Sequence, residues 1–334
     1  MLSFVARRLT EIIPLLITLS VIIFVIIQLP PGDFVTLRIQ QLEMAGTKLS
    51  EAEIANLRRQ YYLDIPPYQQ YLVWIRNIIL RGDFGMSMQW QRPVSELIGE
   101  RLALTMVVSI LTLLFTWGVS LTVGIYSATH QYSFGDYFFS FLGFIGISVP
   151  GFLVALVIMY LVLARTGVAM AGLFSERFVQ APWNWAKVAD ALKHVWLPIV
   201  VIGLSGTAGL IRTMRGLLLD ELQQQYVITA RAKGVAERKL LWKYPVRLAV
   251  NPLISTIGWL LPSIVSGEAL VSIVLNMPTT GPLLLQSLLA QDMYLAGSFL
   301  LVTSALTVIG TLLSDILLAW LDPRIRFGGV TEEA

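Results

Sequence analysis

No residue carries a charge in the segment Ile12–Gly32, IIPLLITLSVIIFVIIQLPPG. It is long enough to cross a bilayer, which takes about 20 apolar residues in a helix. Arg7 and Arg8 precede it, as basic residues do in a secretory signal peptide, but it ends in Leu29-Pro30-Pro31 and not at a small-residue cleavage site. The stretch therefore predicts a first transmembrane helix that is retained.

The rest of the chain has the same apolar character. Of its 334 residues 56% are hydrophobic and 13% are charged, whereas a soluble protein has about 25% charged residues. We therefore expect a polytopic membrane protein. The net charge of +3 is too small to indicate a nucleic-acid partner, and the lack of cysteine excludes disulfides and thiolate chemistry.

Five further apolar segments have about the length that a membrane span needs. With the first, the predicted spans are residues 9–29, 102–128, 137–163, 195–217, 250–275 and 295–321. A membrane barrel would instead show segments of about ten residues with alternating hydrophobicity. The predicted fold class is an all-α polytopic membrane protein with six transmembrane helices. Prolines within four spans predict kinks: Pro14, Pro150, Pro198 and Pro262.

Glycines cluster in two of the spans, as GFIGISVPG at Gly143–Gly151 and GLSGTAG at Gly203–Gly209. Small residues at such spacing let transmembrane helices approach each other closely. The clusters indicate close helix packing, with a functional hinge as the alternative.

Lysine and arginine indicate which side of the membrane a loop faces, because short cytoplasmic loops are enriched in them. With six spans, three basic segments fall on one side: the N-terminus, the loop after the fourth span, and the C-terminus with Arg324 and Arg326. The basic residues in and just before that loop are Arg212, Arg215, Arg231, Lys233, Arg238, Lys239, Lys243 and Arg247. We therefore expect this loop and both termini to be cytoplasmic.

This topology divides the chain into four parts. Residues 1–29 hold the cytoplasmic N-terminus and the first helix, and residues 30–101 form an external segment. Residues 102–321 form a core with the other five helices and the cytoplasmic loop 218–248, and residues 322–334 form a cytoplasmic tail.

The external segment contains two predicted helices. In the first, LSEAEIANLRRQYYL, Ser50 is placed to cap the N-terminus with Glu53 three residues later. In the second, YQQYLVWIRNII, five residues share one stripe: Tyr68, Tyr71, Leu72, Ile75 and Ile79. Such a helix packs on the bundle, lies along the membrane surface or contacts a ligand.

The sequence contains no recognisable catalytic set. HExxH, GxSxG and GxxxxGK[ST] are all missing, and His130 and His194 have no carboxylate pair at metal-ligand spacing. Asp292 and Asp315 bracket the last helix instead of pairing at its centre. Because it lacks a P-loop, the chain is not expected to bind ATP in the usual way, and energy from ATP must reach it through a partner.

One charge lies within an apolar span, at Glu268 in PSIVSGEALVSIVL. A carboxylate at such a depth is costly and usually faces a cavity or a partner. Three interpretations are open: Glu268 lines a translocation pathway, lies near the interface where its side chain reaches water, or relays protons.

The cytoplasmic loop has the most specific pattern. Residues 220–233 have a helical pattern, and Gly234 stands where a glycine in the left-handed conformation would end that helix. The following VAERKLLWKYPVRLAV predicts a second helix that returns to the membrane. Residues around the turn alternate between small and basic: Ala230, Arg231, Ala232, Lys233 and Gly234. The small residues let a partner backbone come close and the basic ones attract an acidic groove; alternatively, the loop faces lipid headgroups.

Five pieces of the chain, in the same order, resemble permeases of dipeptide/oligopeptide-type ABC importers. They are RRLTEIIPLLITLSVIIFVIIQLPPGD with its Pro-Gly-Asp exit, LDIPPYQQYLVWIRNIILRGDFGMSM, RPVSELIGERLALT, QQYVITARAKGVAERKLLWKYPVRLAVNPLI and LDPRIRFG. Together the pieces extend over nearly the whole chain.

The resemblance implies a function that the residue patterns alone do not give. Such a permease lies in the bacterial inner membrane, pairs with a second, similar permease and two ATP-binding subunits, and receives solute from a periplasmic or lipid-anchored solute-binding protein. The partner subunits bind ATP and Mg²⁺, and the permease binds no cofactor. Its cytoplasmic loop docks on the ATPase as a coupling helix, and closure of the ATPase drives alternating access. The residues that match the coupling motif are Tyr226, Ala230, Arg231, Ala232 and Gly234.

The chain departs from the family pattern at two places. Ile228-Thr229-Ala230 stands where the wider superfamily often has Glu-Ala-Ala. Ser272 replaces a glutamate that often precedes a Pro-Gly-x-Gly turn in peptide permeases, and NMPTTGP replaces that turn. This second departure leaves the solute open among oligopeptides, oligosaccharides, nickel complexes and others. We expect Glu268 and Ser272 to face the translocation pathway.

Two other function classes stay open beside the importer permease. A secondary transporter would work without ATPase partners, and an inverted repeat with paired broken helices would support it. A membrane enzyme is disfavoured by the missing catalytic set.

Overall fold

The computed structural model describes residues 2–46, 49–167, 171–179, 181–254 and 269–321. Regular structure in these ranges is helical, apart from one isolated bridge between Met86 and Pro93, which confirms the all-α class. The helices are α1 (Leu2–Gln28), α2 (Phe34–Met44), α3 (Glu51–Gln60), α4 (Pro67–Arg81), α5 (Val94–Thr129), α6 (Phe134–Ser148), α7 (Gly151–Thr166), α8 (Glu176–Val179), α9 (Trp185–Leu222), α10 (Gln225–Ala232), α11 (Glu237–Lys243), α12 (Pro245–Ile254), α13 (Thr280–Leu289) and α14 (Met293–Leu321).

Three described helices are long and apolar enough to cross a membrane: Thr10–Gln28 within α1, the whole of α5, and Met293–Leu313 within α14. Two bent pairs, α6 with α7 and the two halves of α9, raise the number to five if each pair is one span. A polytopic membrane protein is thereby confirmed. Most of the predicted fifth span, with Pro262, falls on 255–268, outside the described residues, so six spans stays a prediction.

The third predicted span, 137–163, is a broken helix. Helices α6 and α7 are bent by 107° at Val149, which has φ −100° and ψ 123°. Pro150 accounts for the break, because proline lacks an N–H and disfavours a helical conformation of the residue before it. The kink predicted at Pro150 is thus a complete interruption.

Helix α9 continues through Pro198 and bends by 52° between Leu204 and Gly206. The residues at the bend are Ser205 and Gly206, and sharp kinks are common at Gly/Ser pairs. This large bend therefore lies beyond the proline at which the sequence predicts a kink.

The chain packs into two compact units, here called unit 1 and unit 2. Unit 1 comprises residues 1–5, 105–278 and 309–334, and unit 2 comprises residues 6–104 and 279–308. The four-part division that follows the membrane topology stays a prediction.

In unit 1, helix α9 is central, with α6, α7 and α12 packed around it. A Cβ atom on Gly203 would lie 2.7 Å from the Phe115 ring and 3.0 Å from Thr116 Oγ1, which is too close for any side chain without a shift. Gly203 therefore lets α9 approach α5, as the close-packing interpretation of the GLSGTAG cluster predicts.

In unit 2, the core contains aromatic and aliphatic side chains that include Trp74, Val94 and Leu295. The capping box predicted for α3 is confirmed. Ser50 Oγ accepts a hydrogen bond from Glu53 N at 3.3 Å, and Glu53 Oε2 accepts one from Ser50 N at 2.8 Å.

Helix α4 presents to this core a face that differs from the predicted stripe. Gln70 and Trp74 are buried, whereas Leu72 and Ile79 are exposed. Of the predicted stripe, Tyr71 packs against the core. Packing on the bundle therefore does not explain why most of the stripe is apolar.

Asp292 connects two parts of unit 2. Its fully buried carboxylate accepts hydrogen bonds from Ser87 Oγ at 2.6 Å, from Gln89 N at 3.2 Å and from Leu295 N at 3.2 Å. Burial raises the pKa of this carboxyl in spite of these bonds. Asp292 thus caps α14 and fixes the segment between α4 and α5 to the start of that helix.

Replacing Asp292 with alanine is expected to destabilise unit 2 by about 2–3 kcal/mol, because buried donors lose their acceptor. Thermal unfolding of the purified protein measures this as a lower midpoint. Asp83→Ala is the matched control, since Asp83 is exposed and accepts one bond, from Gly85 N at 2.8 Å. The control should cost about 0.5 kcal/mol. Equal midpoints for the two variants would mean that Asp292 does not hold this junction.

Candidate functional site

The 218–248 loop consists of the end of α9, the short helices α10 and α11, and the start of α12. The predicted continuous helix over 220–233 is wrong, because α9 ends at Leu222 and Gln224 is extended, with ψ 146°. The break allows the Tyr226 hydroxyl to donate to the Glu221 carboxylate. Residues five positions apart point to different faces of a continuous helix, so this contact requires the interruption.

Tyr226 and its neighbour Val227 hold α10 against the rest of the loop. Val227 is fully buried, and Tyr226 is 36% exposed, with its ring centroid 6.4 Å from that of Tyr244. Burial, together with the Glu221 carboxylate, raises the pKa of the Tyr226 phenol. The hydroxyl therefore keeps its proton at neutral pH and remains a donor.

Gly234 ends α10 as the sequence predicts. Its φ is +75°, its N–H donates to Arg231 O at 3.0 Å, and Val235 N donates to Ala230 O at 3.2 Å. These two bonds define a Schellman motif. A Cβ atom on Gly234 would have no atom within 4 Å, so the left-handed backbone, and not crowding within the chain, requires glycine.

Arg231 forms an ion pair within the loop. Its Nε and Nη2 donate to Glu237 Oε1 and Oε2 at 2.5 and 3.2 Å, which joins α10 to α11 across the turn. The guanidinium lowers the pKa of the Glu237 carboxyl, so the pair is ionised at neutral pH. Because both side chains are exposed, water screens the pair and it contributes little to stability.

The outward surface of α10 consists of small and apolar residues with a basic neighbour. Ala232, Lys233 and Gly234 are exposed, and Ala230 is partly exposed. Ile228, which is 47% exposed, belongs to the same surface. Ile228 was not predicted to be part of it, although an isoleucine in a charged loop is the signal that could have indicated an apolar contact.

Buried side chains of unit 1 anchor the loop. Val246, Ala249 and Leu253 of α12 share a cluster with Met214 and Leu218 of α9 and with Ile125 and Ala128 of α5, and Leu241 of α11 packs against it. Leu240 of α11 is also fully buried. Burying each large side chain in this cluster stabilises the fold by about 1.5–3 kcal/mol. The exposed α10 therefore stands on a closely packed base that includes the ends of α5 and α9.

A partly buried ion pair reinforces this base. Arg215 Nε and Nη2, in α9, donate to Asp136 Oδ1 and Oδ2, in the first turn of α6, at 3.0 and 2.9 Å. Asp136 is 2% exposed and also accepts a bond from Tyr132 N at 3.0 Å. This pair was not predicted from the sequence, because its members are far apart in the chain. An aspartate in a short loop without lysine or arginine is a signal that its partner lies elsewhere.

The structure describes one of the two residues predicted for the translocation pathway. Glu268 lies outside the described residues. Ser272 is fully buried, and its carbonyl accepts from Met277 N at 2.8 Å, where Asn276, with φ 50°, ends a helical stretch. No group of three or more metal-ligating side chains occurs in the part of the chain that the structure describes.

Two family models match the chain. The model for the binding-protein-dependent transport system inner membrane component matches residues 120–327, and the model for the N-terminal part of such membrane components matches residues 1–110. The first match includes the whole 218–248 loop.

Individual proteins are similar over nearly their full length. The oligopeptide transport system permease protein AppB of Bacillus subtilis (strain 168) is 33% identical over 98% of this chain and 100% of its own. OppB of Haemophilus influenzae, also an oligopeptide transport system permease protein, is 28% identical over the same shares. The glutathione transport system permease protein GsiC of Salmonella typhimurium is 31% identical, again over 98% and 100%.

Proposed function

The chain belongs to the family of binding-protein-dependent transport system inner membrane components, as a permease of a peptide-type ABC importer, and on this premise we propose that it forms half of an ATP-driven translocation pathway. A second, similar permease supplies the other half. Two ATP-binding subunits bind ATP and Mg²⁺ and hydrolyse the nucleotide, and a periplasmic or lipid-anchored solute-binding protein delivers the solute. The chain itself is a transport protein and not an enzyme.

The structure of α10 is the observation on which this proposal rests. Helix α10 combines an exposed surface of small residues, an end fixed by the Gly234 cap, and a buried base. These are the properties of a helix that a partner can hold and move without deforming it. We assign its partner as the ATP-binding subunit, which contacts Ala230, Ala232 and Gly234 closely and faces the positive charges of Arg231 and Lys233.

The buried base supports a mechanism for alternating access. When the ATP-binding subunits close, α10 moves with them, and the cluster around Val246 and Met214 transmits the displacement to the ends of α5 and α9. Packed interiors are not continuously deformable, so such a displacement shifts whole helices. Asp136 and Arg215 extend the connection to the broken helix α6–α7.

Oligopeptides are the proposed solutes, with oligosaccharides or another related solute as the alternative. The names of the relatives favour peptides, since they are oligopeptide and glutathione permeases. The replacement of the family's usual glutamate by Ser272 is the reason to keep the alternative. Within the pathway we assign Glu268 and Ser272 as lining residues.

Replacing Glu268 with glutamine is expected to reduce solute uptake severalfold without affecting assembly, because an apolar span tolerates a carboxylate only where it serves a function. Uptake, stimulation of the ATPase and subunit composition of the purified complex measure the effect. Unchanged values of all three would remove Glu268 from the pathway.

The proposed orientation places both termini and the 218–248 loop in the cytoplasm. The outer surfaces of the spans contact membrane lipid, and no nucleic acid takes part. The lysines and arginines of the loop and the arginines near both termini are consistent with this arrangement.

Co-expression of the chain with its neighbouring genes tests the proposed function. We expect a second permease and two ATP-binding subunits to co-purify, and uptake into proteoliposomes to require the Walker lysine of those subunits. Uptake that survives replacement of that lysine would indicate a secondary transporter. A catalytic activity of the chain purified alone would indicate an enzyme.

A further inference from the structure

A helix on the surface of a soluble domain turns its apolar face inward. Helix α4 instead exposes large apolar side chains. Its inward face buries Gln70 and Trp74, which are 5% and 3% exposed. Its outward face carries Leu72, Ile79 and Leu80, which are 57%, 71% and 74% exposed. In water such an arrangement leaves apolar surface uncovered, so the medium outside this helix is expected to be apolar.

The inward face of α4 packs against the first membrane span. Tyr71 OH lies 2.9 Å from Ser20 Oγ, the Trp74 ring centroid lies 6.2 Å from that of Phe24, and Gln28 Nε2 donates to Gln70 Oε1 at 3.1 Å. These contacts follow α1 from its C-terminal end toward its middle. With a rise of about 1.5 Å per residue, Ser20 lies about 12 Å along α1 from Gln28. Helix α4 therefore reaches the depth of the uncharged span.

The buried polar side chains of α4, Gln70 and Trp74, both have partners within the chain. Gln70 Nε2 donates to Ile65 O at 2.9 Å, and Trp74 Nε1 donates to Ser298 Oγ at 3.3 Å. Such internal pairing is what a helix needs where water does not reach its polar groups.

The ends and the outward face of α4 carry side chains that favour a membrane interface, and Arg76 lies on that face between Leu72 and Leu80. Tyr68 is 64% exposed near the N-terminus, and Arg76 and Arg81 are exposed toward the C-terminus. Long basic side chains can extend to the headgroups while their stems lie along apolar surface, and tyrosine is enriched at this level of the membrane.

We propose that α4 lies in the outer leaflet of the membrane, with Leu72, Ile79 and Leu80 in contact with lipid acyl chains. The segment between the first and second spans is then not wholly aqueous, and α4 is a membrane-embedded interfacial helix beside α1. Lipid is the occupant that the contacts favour, because α4 packs along α1, a candidate membrane span that itself exposes apolar side chains such as Val25 and Ile26. This placement of α4 does not depend on the docking of α10.

The lack of cysteine in the chain allows a direct test by single-site labelling. Leu72→Cys and Ile79→Cys carry a bimane fluorophore, and the assembled transporter is reconstituted in phosphatidylcholine vesicles. Fluorescence is measured with doxyl-labelled phosphatidylcholine, which quenches from the acyl region, and with aqueous iodide. The control is Ala52→Cys on the exposed side of α3.

We expect the doxyl lipid to quench most of the fluorescence at Leu72→Cys and Ile79→Cys, and iodide to quench little of it. The control should show the reverse. Strong quenching by iodide at the α4 positions would overturn the proposal. If the solute-binding protein blocks that quenching, the face is covered by protein, and if it does not, the face is aqueous. Weak quenching by both agents would overturn the proposal in favour of burial against another subunit.

Discussion

Replacing Gly234 with valine is expected to uncouple ATP hydrolysis from transport while leaving membrane insertion intact. The residue has φ +75°, and a side chain costs about 1–2 kcal/mol in the left-handed conformation, more when it is β-branched. Relief of this strain disrupts the two bonds of the cap, from Gly234 N to Arg231 O and from Val235 N to Ala230 O. The outward surface of α10 then loses its fixed position.

The expected size of the effect follows from the cost of holding the strained cap. A penalty of about 1.4 kcal/mol lowers the population of the correctly docked loop about tenfold. Uptake per ATP hydrolysed, measured in proteoliposomes with the complete transporter, should fall by roughly this factor. The amount of permease in the membrane fraction should not change, because the substitution lies outside the spanning helices.

Two variants separate the possible causes. Gly82→Val places the same side chain at another helix-capping glycine with positive φ, +64°, where a Cβ atom would likewise have no atom within 4 Å; coupled uptake should persist. Gly234→Asn tolerates the left-handed backbone but adds a side chain, so its failure would indicate crowding by the partner. Normal coupled uptake by Gly234→Val would contradict the docking role and leave the loop as a topology signal.

Replacing Asp136 with alanine is expected to destabilise unit 1 and to impair coupling together. The substitution leaves Arg215 without the two hydrogen bonds that it donates at 3.0 and 2.9 Å. Breaking a buried pair by removing one partner costs about 3–5 kcal/mol, and the lower end applies here because the Arg215 side chain is 27% exposed. The connection between α6 and α9 is lost with it.

Thermal unfolding of the purified complex and uptake per ATP hydrolysed measure these effects. The double variant Asp136→Ala/Arg215→Ala should be less destabilised than the sum of the two single variants, because it leaves no unpaired charge. Arg92→Ala is the matched control: its pairs with Glu96 and Glu100 are exposed, so little stability should be lost. An unchanged unfolding midpoint for Asp136→Ala would show that the ion pair does not hold the two helices.

Local signals in the sequence predict part of this structure well. The uncharged stretch Ile12–Gly32 is enough to predict the membrane class, and Ser50 with Glu53 predicts a helix start. Gly234 predicts a helix end, because the left-handed conformation is a local preference of glycine. These features depend on residues that are close together in the chain.

The features that the sequence did not predict depend on distant contacts. The break after Leu222 is accompanied by the burial of Val227 and the contact of Tyr226 with Glu221, and the Asp136–Arg215 pair joins two helices. The stripe on α4 has the same helical period whether it faces a protein core or lipid. Pattern alone therefore identifies the helix but not the medium that its stripe faces.

Crosslinking in the assembled transporter tests the proposed contact between α10 and an ATP-binding subunit. Ala232→Cys introduces the only thiol of the chain at an exposed position of α10, and a short maleimide–succinimide crosslinker can join it to a lysine of a neighbouring subunit in the assembled transporter. We predict a crosslink to the ATP-binding subunit at Ala232→Cys and none at Ala52→Cys on α3. Absence of that crosslink, with the subunits still assembled, would contradict the account.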